Sequence, residues 1–277
     1  MADGPTGPDA TFCAASAAFD SLVRGASVGV AVSGGSDSMA LLALLHRWAD
    51  GRDVRISAAT VDHGLRVEAR AEAERVAAFC ASRGIRHEIL TLGDLSGPGN
   101  LSARARDARY AALTAHFLPQ GCVTDAPYET SADAVGCVRD APLVLLGHTM
   151  DDQAETVLMR LARGSGAEGL SAMAPERHAH GIRWVRPLLA LRRDALRDWL
   201  RAEGIAWIDD PTNADPRYDR VKARRALEAL TPLGLTAEGV ADTAARLARQ
   251  SEVLRTAATE LSAAAVSPGP LWSWQID

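Results

Sequence analysis

The sequence lacks residues that several classes of catalytic or metal-binding protein need. It has four cysteines, and none of them lies in a C-x-x-C pair, which argues against a zinc site or a thiol redox motif. Lys222 is the only lysine, so a Walker-type phosphate loop, with a lysine after its second glycine, is absent. No apolar run reaches the ~18 residues of a membrane helix, and residues 1–9 lack the basic region of a secretory signal. We therefore expect a cytoplasmic protein without membrane contact.

The composition is that of a folded chain. Apolar residues make up 47% of the 277 residues and charged residues 23%, which excludes wholesale disorder. At roughly 150 residues per domain, this length allows two modest domains or one large one. The formal net charge of −5 argues against binding nucleic acid by bulk charge, although a local basic surface is compatible with it.

Short apolar strands alternate with helical segments through residues 25–215. Strands are predicted at 28–32, 56–61, 85–92 and 143–146, and helices at 39–48, 68–82, 101–117 and 151–163. Strands this apolar are typical of a parallel sheet that is buried on both faces. The pattern predicts an α/β fold with a doubly wound, Rossmann-like parallel sheet.

Three regions lie outside this regular pattern. Residues 1–24 form an N-terminal lead-in, and residues 119–142 mix Gly, Pro, Asp, Thr and Ser without periodicity, which predicts a surface insertion. After Pro216 no further strand is predicted. Helices at 218–230 and 236–265 are expected to form a helical C-terminal region, 216–277.

The sharpest motif is the loop Ser33-Gly34-Gly35-Ser36-Asp37-Ser38, between the first strand and the first helix. Glycines allow close backbone approach, serines add hydroxyl donors, and a helix N-terminus favours anionic oxygens. These are the requirements of a phosphate cradle. Asp37 suits such a cradle if Mg²⁺ accompanies the phosphates. The alternative is a Gly-Ser turn whose side chains only cap the helix.

Polar residues also follow the second and third predicted strands. Asp62 and His63 come directly after strand 56–61 and could contact a metal or nucleotide, or could cap the next helix. Arg106 and Arg109 lie three residues apart in helix 101–117, so they share a face. They could clamp a phosphate or belong to a solvated helix surface.

Two carboxylates lie in the first turns of the helix that follows the fourth strand. Asp152 and Glu155 are also three residues apart and are expected on one helix face, near the carboxyl edge of the sheet. They could bind an ammonium group or a metal, accept a proton, or simply stabilise the helix N-terminus.

Several of these motifs resemble those of known enzymes. The S-G-G-x-D-S loop resembles the pyrophosphate loop (PP loop) of the N-type ATP pyrophosphatases, which cleave ATP between the α and β phosphates. Other segments resemble one branch of this superfamily, the tRNA(Ile)-lysidine synthases. They are V-D-H-G-L-R at 61–66, A-R-D-A-R-Y at 105–110, H-T-M-D-D-Q-A-E-T at 148–156, R-G-S-G at 163–166, R-P-L-L at 186–189 and W-I-D-D-P-T-N at 207–213.

The resemblance implies a reaction and its partners. Enzymes of this family use ATP to adenylate O2 of the wobble cytidine of tRNA(Ile), and L-lysine then attacks C2 with release of AMP. The resemblance therefore implies ATP and Mg²⁺ as cofactors, and L-lysine and a tRNA(Ile) with a CAU anticodon as partners. It is also compatible with a homodimer.

The resemblance assigns roles to residues of this chain. Catalytic roles are expected for Asp37, Arg106, Arg109, Asp152 and Glu155. ATP binding is expected at Ser33, Gly34, Gly35, Ser36, Asp37, Ser38, Asp62 and His63, with Asp37 as metal ligand. Lysine binding is expected at Asp152 and Glu155. tRNA binding is expected at Arg220, Lys222, Arg224 and Arg225, in a C-terminal region that is short for the family. Without the resemblance, these four residues are also typical of a solvated helix.

Three alternatives have weaker support. A tRNA thiolase of the same superfamily would use paired cysteines, which are missing here. A ligase of the amidotransferase type would need an ammonia source, and 277 residues leave no visible glutaminase domain. A degenerate nucleotide-binding module is disfavoured because the loop, Asp37, Asp152 and Glu155 are all present.

Overall fold

A computed structural model of the chain describes residues 7–22, 27–64, 68–93, 101–118, 142–210, 215–268 and 274–276. All but the last residue of the predicted insertion at 119–142, and part of the lead-in at 1–24, lie outside these described residues. The same holds for Leu65 and Arg66 of the V-D-H-G-L-R motif and for residues 211–213 of W-I-D-D-P-T-N.

The described helices and strands follow one another along the chain in the predicted alternation. The helices are α1 (Pro8–Leu22), α2 (Ser36–Ala49), α3 (Glu68–Ala81), α4 (Leu101–Phe117), α5 (Met150–Leu161), α6 (Ala167–Leu170), α7 (Arg193–Ala202), α8 (Asp219–Leu230) and α9 (Ala237–Ala265), with a 3-10 turn at Thr231–Leu233. The strands are β1 (Ser27–Ala31), β2 (Arg55–Asp62), β3 (Arg86–Thr91), β4 (Leu143–Leu146), β5 (Glu176–Ala179), β6 (Ile182–Val185), β7 (Val266–Pro268) and β8 (Trp274–Ile276).

A six-stranded sheet of order β3-β2-β1-β4-β6-β5 forms the centre of the fold. All neighbouring strands are parallel except β5, which runs antiparallel to β6. The predicted doubly wound α/β fold is therefore confirmed. The sheet extends in opposite directions from β1 and β4, and such a switch in strand order opens a crevice at the carboxyl ends of the two strands.

The core consists of two hydrophobic clusters, and their positions explain why the sequences of the central strands are continuously apolar. In β4, Leu143 and Leu145 belong to the cluster that includes the fully buried leucines of α2. The alternate residues Val144 and Leu146 belong to the second cluster, with Leu113 of α4. Successive side chains of a strand point to opposite faces, so β4 is buried on both sides.

Several elements differ from those that the sequence pattern predicts. β5 and β6 form a hairpin whose turn residues, His180 (φ 52°) and Gly181 (φ 70°), both have positive φ, as in the type I′ turns of two-residue hairpins. The prediction that strands end at Pro216 is wrong, because β7 and β8 form a small antiparallel sheet. Strands of three or four residues are too short for periodicity to reveal them. The helices α1 and α7 also lie outside the predicted elements.

The chain divides into two compact units. Unit 1 comprises Met1–Met150 and Pro175–Asn213, and unit 2 comprises Asp151–Ala174 and Ala214–Asp277. The division expected from the sequence, 25–215 and 216–277, assigns the segment Asp151–Ala174 to the first domain, whereas its contacts group it with the C-terminal helices. Within the part of the chain that the structure describes, no helix is both long and apolar enough to span a membrane.

An ion pair across the β5–β6 hairpin generates a test of the fold. Arg183 donates from Nε and Nη2 to the two carboxylate oxygens of Glu176, each at 2.7 Å. These hydrogen bonds hold the pKa of Glu176 below its ordinary value of 4.5. Because the folded-state pKa is lowered, the stabilisation is present above pH 4.5 and is lost as the pH falls through the folded-state value.

We therefore expect E176Q to lower the free energy of unfolding by about 1 kcal/mol at pH 7. The difference from the wild type should shrink in acid. Urea unfolding at pH 7 and at a pH well below the lowered pKa of Glu176, where the carboxyl is protonated, measures both values. The more exposed pair between Arg47 and Glu203 provides a control, since E203Q should have a smaller effect. An equal loss at both pH values would contradict the assignment.

Candidate functional site

The loop Ser33–Ser38 connects β1 to α2 and closes on itself through a buried serine. Ser38 Oγ accepts a hydrogen bond from Ser33 N at 3.1 Å and donates one to Gly35 O at 3.0 Å. The first backbone hydrogen bond of α2 runs from Met39 N to Gly35 O. In an α-helix, the backbone amides of the first turn have no partner within the helix. The amides that precede Met39 therefore lie where capping groups or anions can bind.

Two glycines allow the close backbone approaches that build this loop. Gly34 has a φ of 85° and its carbonyl accepts a hydrogen bond from Ile208 N at 2.9 Å. A Cβ on Gly147, the residue after β4, would lie 2.9 Å from Ser38 Cα and 3.0 Å from the carbonyl carbon and oxygen of Asp37. Any side chain at Gly147 would therefore collide with the first turn of α2.

Two arginines of α7 contact the first turn of α2. Arg193 donates from Nε to Asp37 Oδ2 at 2.9 Å, and Arg197 donates from Nε to Ser36 Oγ at 3.2 Å. Ser36 Oγ in turn donates to Asp37 Oδ1 at 3.0 Å. Neither arginine is predicted from the sequence as a site residue. Their spacing of four residues places them on one helix face, but no pattern in the sequence tells which element that face meets.

The environment of Asp37 fits a magnesium–nucleotide site. Its carboxylate is partly buried, with 18% of the side chain exposed, and lies in the turn whose amides suit phosphate. Mg²⁺ commonly takes one or two protein carboxylates and completes its shell with phosphate oxygens and water. Among the described residues, no group of three or more His, Cys, Asp or Glu side chains could hold a metal by itself.

The structure places His63 where the charges of both Asp62 and Arg109 act on it. Asp62 is buried, and its Oδ1 accepts a hydrogen bond from Gly64 N at 2.9 Å, so the carboxylate shapes the turn after β2. Burial and the positive charge of Arg109 lower the pKa of His63, while Asp62 opposes this shift. His63 is therefore neutral at physiological pH and adds no charge to the end of β2.

Arg106 and Arg109 flank the same tyrosine. Their guanidinium carbons lie 5.7 and 5.6 Å from the centroid of the Tyr110 ring, and this ring packs edge-on against Trp184 at 5.0 Å. Arg186 of the R-P-L-L segment lies close enough to Tyr110 to interact with it. These contacts place arginines of α4 and of the segment after β6 around one aromatic pair.

Arg186 is the most buried of these arginines, with 7% of its surface exposed. Burial is the main cause that lowers its pKa, and the like charges of Arg177 and Arg106 lower it further. A set of arginines that repel one another is stabilised by an anion. This part of unit 1 is therefore electrostatically suited to a phosphate group.

The carboxylates Asp152 and Glu155 are buried in unit 2, with 7% and 1% of their side chains exposed. Arg224 donates from Nε to Glu155 Oε1 at 2.9 Å. Arg220 lies 3.6 Å from Asp152 through Nη1 and 3.6 Å from Glu155 through Nε. The structure therefore brings the predicted lysine site together with two of the arginines predicted to bind tRNA.

The other basic residues of α8 are exposed. The amine of Lys222 lies 3.2 Å from Asp219 Oδ1, with 61% of its side chain exposed, and Arg225 is exposed on the next turn. Arg224, which is bonded to Glu155, is 34% exposed. The exposed basic side chains of α8 are thus those of Arg220, Lys222 and Arg225, and the helix also exposes the carboxylates of Asp219 and Glu228.

The PP-loop domain family matches residues 13–126 and 126–230 of this chain. Several proteins named tRNA(Ile)-lysidine synthase are similar to it. The protein from Ruegeria pomeroyi is 50% identical over 227 residues, covering 82% of this chain and 50% of that protein. The protein from Hyphomonas neptunium is 46% identical over 224 residues (79% and 55%), and that from Methylobacterium nodulans is 41% identical over 247 residues (88% and 67%).

The chain belongs to the tRNA(Ile)-lysidine synthase family of PP-loop proteins. It spans about half the length of the first two of these relatives. The fold is also similar to that of the U34-tRNA thiolase NcsA from Methanococcus maripaludis, with a TM-score of 0.65 and 18% sequence identity over 88% of this chain and 79% of that one. At this identity the similarity concerns the fold alone.

The close approach at Gly147 generates a prediction for this lysidine synthase family member. We expect G147A to lower the free energy of unfolding by about 1–3 kcal/mol, because the added methyl group overpacks the backbone of α2. It should also weaken binding of ATP with Mg²⁺, because the PP loop must shift. Chemical unfolding and calorimetric titration measure the two effects.

G93A is a suitable control, because a Cβ on Gly93 would meet nothing within 4 Å. It should leave both quantities close to those of the wild type. If G147A were as stable as G93A and bound ATP normally, the contact between Gly147 and α2 would not constrain the loop.

Proposed function

We propose that this chain catalyses the ATP-dependent ligation of L-lysine to C2 of the wobble cytidine of a tRNA(Ile) with a CAU anticodon, forming lysidine, AMP and pyrophosphate. Membership of the lysidine synthase family supports this reaction. The structural observation that carries the proposal is the buried pair of Asp152 and Glu155, because two adjacent carboxylates suit a substrate that brings a positive charge.

In the first step, the PP loop holds the triphosphate. The amides of the first turn of α2 and the hydroxyl of Ser33 bind phosphate oxygens, and the helix N-terminus favours their negative charge. Asp37 is the residue that would hold Mg²⁺, which when bound would supply neutralisation of the negative charge on the phosphates. O2 of the cytidine bonds to the α phosphorus as the bond from that phosphorus to the bridging oxygen of the β phosphate breaks.

The arginines around Tyr110 stabilise negative charge in this scheme. Arg106 and Arg109 lie in the cluster that includes buried Arg186, and their mutual repulsion favours a phosphate group of ATP or of RNA. Arg193 contacts Asp37 and so positions the carboxylate that would bind Mg²⁺. It is a positioning residue that acts through Asp37.

In the second step, Asp152 and Glu155 bind and orient the side-chain ammonium of lysine. The ammonium must lose a proton before it can attack, and a neighbouring carboxylate is a suitable acceptor. The lysine nitrogen then bonds to C2 of the cytidine, the bond from C2 to the adenylated oxygen breaks, and AMP leaves with that oxygen.

Local basic residues account for tRNA binding by a protein of negative net charge. Arg220, Lys222 and Arg225 of α8 are exposed and suit RNA phosphates. Arg224 contributes less directly, because its guanidinium is bonded to Glu155.

The reaction is tested by incubating the chain with ATP, labelled lysine and an unmodified tRNA(Ile) transcript. We expect label in the tRNA and one pyrophosphate released for each lysine incorporated. A transcript with uridine at the wobble position is the matched control and should take up no label. Label in a free amide, or none in tRNA, would contradict the proposed function.

The role of Asp37 gives a prediction for the first step. D37N should lower the rate of pyrophosphate release by at least about 100-fold, because charge on the leaving group is then poorly neutralised. Thermal unfolding should show that the variant is folded. A folded D37N protein that releases pyrophosphate at the wild-type rate would remove the metal-binding role of Asp37.

The role of Glu155 gives a prediction for the second step. E155Q keeps the shape of the side chain but removes its charge, so the KM for lysine should rise about tenfold or more, corresponding to ~1.4 kcal/mol of binding energy. Pyrophosphate release should change less, because adenylation uses only ATP and cytidine. Measuring the two steps separately distinguishes the effects.

E168Q removes the charge of an exposed carboxylate in the same unit and serves as control, with an unchanged lysine KM. If E155Q abolished pyrophosphate release but left the lysine KM unchanged, Glu155 would act in the ATP reaction instead.

A further inference from the structure

The acidic pair on α5 is neutralised by two arginines that are held in different ways. Arg224 forms a hydrogen bond to Glu155 at 2.9 Å. Arg220 lies 3.6 Å from an oxygen of Asp152 and 3.6 Å from the second oxygen of Glu155. These separations exceed normal hydrogen-bond distances, so Arg220 is held mainly by charge. Its side chain is also 44% exposed, against 34% for Arg224.

Arg220 lies where a substrate ammonium group would bind. Its guanidinium is close to one oxygen of each carboxylate, and an ammonium that contacted both Asp152 and Glu155 would need the same place. The charges lead to the same conclusion. The described ion pairs set two guanidinium groups against these two carboxylates, and an ammonium added to them would bring a further positive charge into a largely buried setting, which is unfavourable. Exchange of Arg220 for the ammonium keeps the balance.

We propose that Arg220 is an internal substitute for the ammonium of lysine. Its guanidinium neutralises Asp152 and Glu155 until a phosphate of tRNA attracts it away. This inference rests on the proposed function. It makes Arg220 a positioning residue that couples two substrates: tRNA binding makes the acidic pair available to lysine. Without tRNA, lysine has to compete with a cation that belongs to the protein.

The structure explains why Arg220 exchanges and Arg224 stays. Both lie on one face of α8, four residues apart, and both contact Glu155, which is 1% exposed, but only Arg224 forms a hydrogen bond to it. Breaking that bond would leave a buried charge poorly compensated. The exposed part of Arg220 is instead accessible to RNA, and its guanidinium matches phosphate geometry. The exposed Lys222 and Arg225 attract phosphates to the same helix.

Coupling of this kind is reciprocal and can be measured by binding alone. If tRNA raises the affinity for lysine by some factor, lysine raises the affinity for tRNA by the same factor. Calorimetric titration of the full chain with L-lysine, with and without the unmodified tRNA(Ile) transcript and without ATP, gives this factor. For the wild type we expect lysine to bind about tenfold more tightly when tRNA is present, within the usual range of such couplings.

The variant R220Q separates the exchange from simple lysine binding. Without the competing guanidinium, we expect lysine to bind the tRNA-free variant more tightly than it binds the wild type, and tRNA to add less than about twofold. A structural role for Arg220 would instead weaken lysine binding in both states. Circular dichroism should confirm that R220Q is folded.

R217Q is the matched control. Arg217 lies just before α8, is 85% exposed and pairs with Asp215 at 2.6 Å, so its loss removes the same charge without touching the acidic pair. It should keep the wild-type coupling.

Equal lysine affinity of the wild type with and without tRNA would overturn the inference, as would full coupling in R220Q. If either outcome is found but lysine is still incorporated into tRNA in the presence of ATP, only the inference fails and the proposed function stands. If lysine is neither bound nor incorporated, both fail.

Discussion

The first turn of α2 packs directly against the backbone after β4, and the position of the whole nucleotide loop depends on this contact. The contact exists because Gly147 has no side chain, so that the backbone of Asp37 and Ser38 can pass within about 3 Å of the place where a Cβ would stand. The switch in strand order at β1 and β4 opens the crevice, and the glycine lets the helix N-terminus reach it. Ser38 then closes the loop, and α7 adds arginines to its first turn.

Arginine supplies almost every positive charge in this chain, and this choice has physical consequences for its sites. A guanidinium stays protonated at any physiological pH and forms directional pairs with carboxylates. The pairs of Arg193 with Asp37 and of Arg224 with Glu155 are examples of such directional contacts. A lysine ammonium is a compact charge with three donors. It therefore differs chemically from the guanidinium groups of Arg220 and Arg224, which contact the carboxylates of Asp152 and Glu155.

Periodicity predicts the central strands and α2 because burial on both faces leaves a strong local signal. The run Leu143–Leu146 shows this most clearly, since its side chains alternate between two hydrophobic clusters. The hairpin of β5 and β6 has no such signal, because its strands have four residues each and expose several polar side chains.

Tertiary pairings limit what the sequence predicts about the site. The S-G-G-x-D-S loop is recognisable because strand, loop and helix are adjacent in the sequence. The contact of Arg193 with Asp37 joins residues that are 156 positions apart, and that of Arg224 with Glu155 joins residues 69 apart. No local pattern records such partners. The sequence therefore predicts the acidic pair and the basic helix as separate sites, whereas the structure joins them.

The discontinuous construction of unit 2 has a consequence for the synthesis of the protein. The segment Asp151–Ala174 leaves the ribosome before Ala214–Asp277 exists, so newly made Glu155 has to wait for Arg224. At roughly 5–20 residues per second, the 69 positions between them correspond to a delay of about 3–14 s, long compared with helix formation. During this interval the acidic α5 segment is without its basic partner. Its maturation is therefore set by translation rather than by the speed of its own folding.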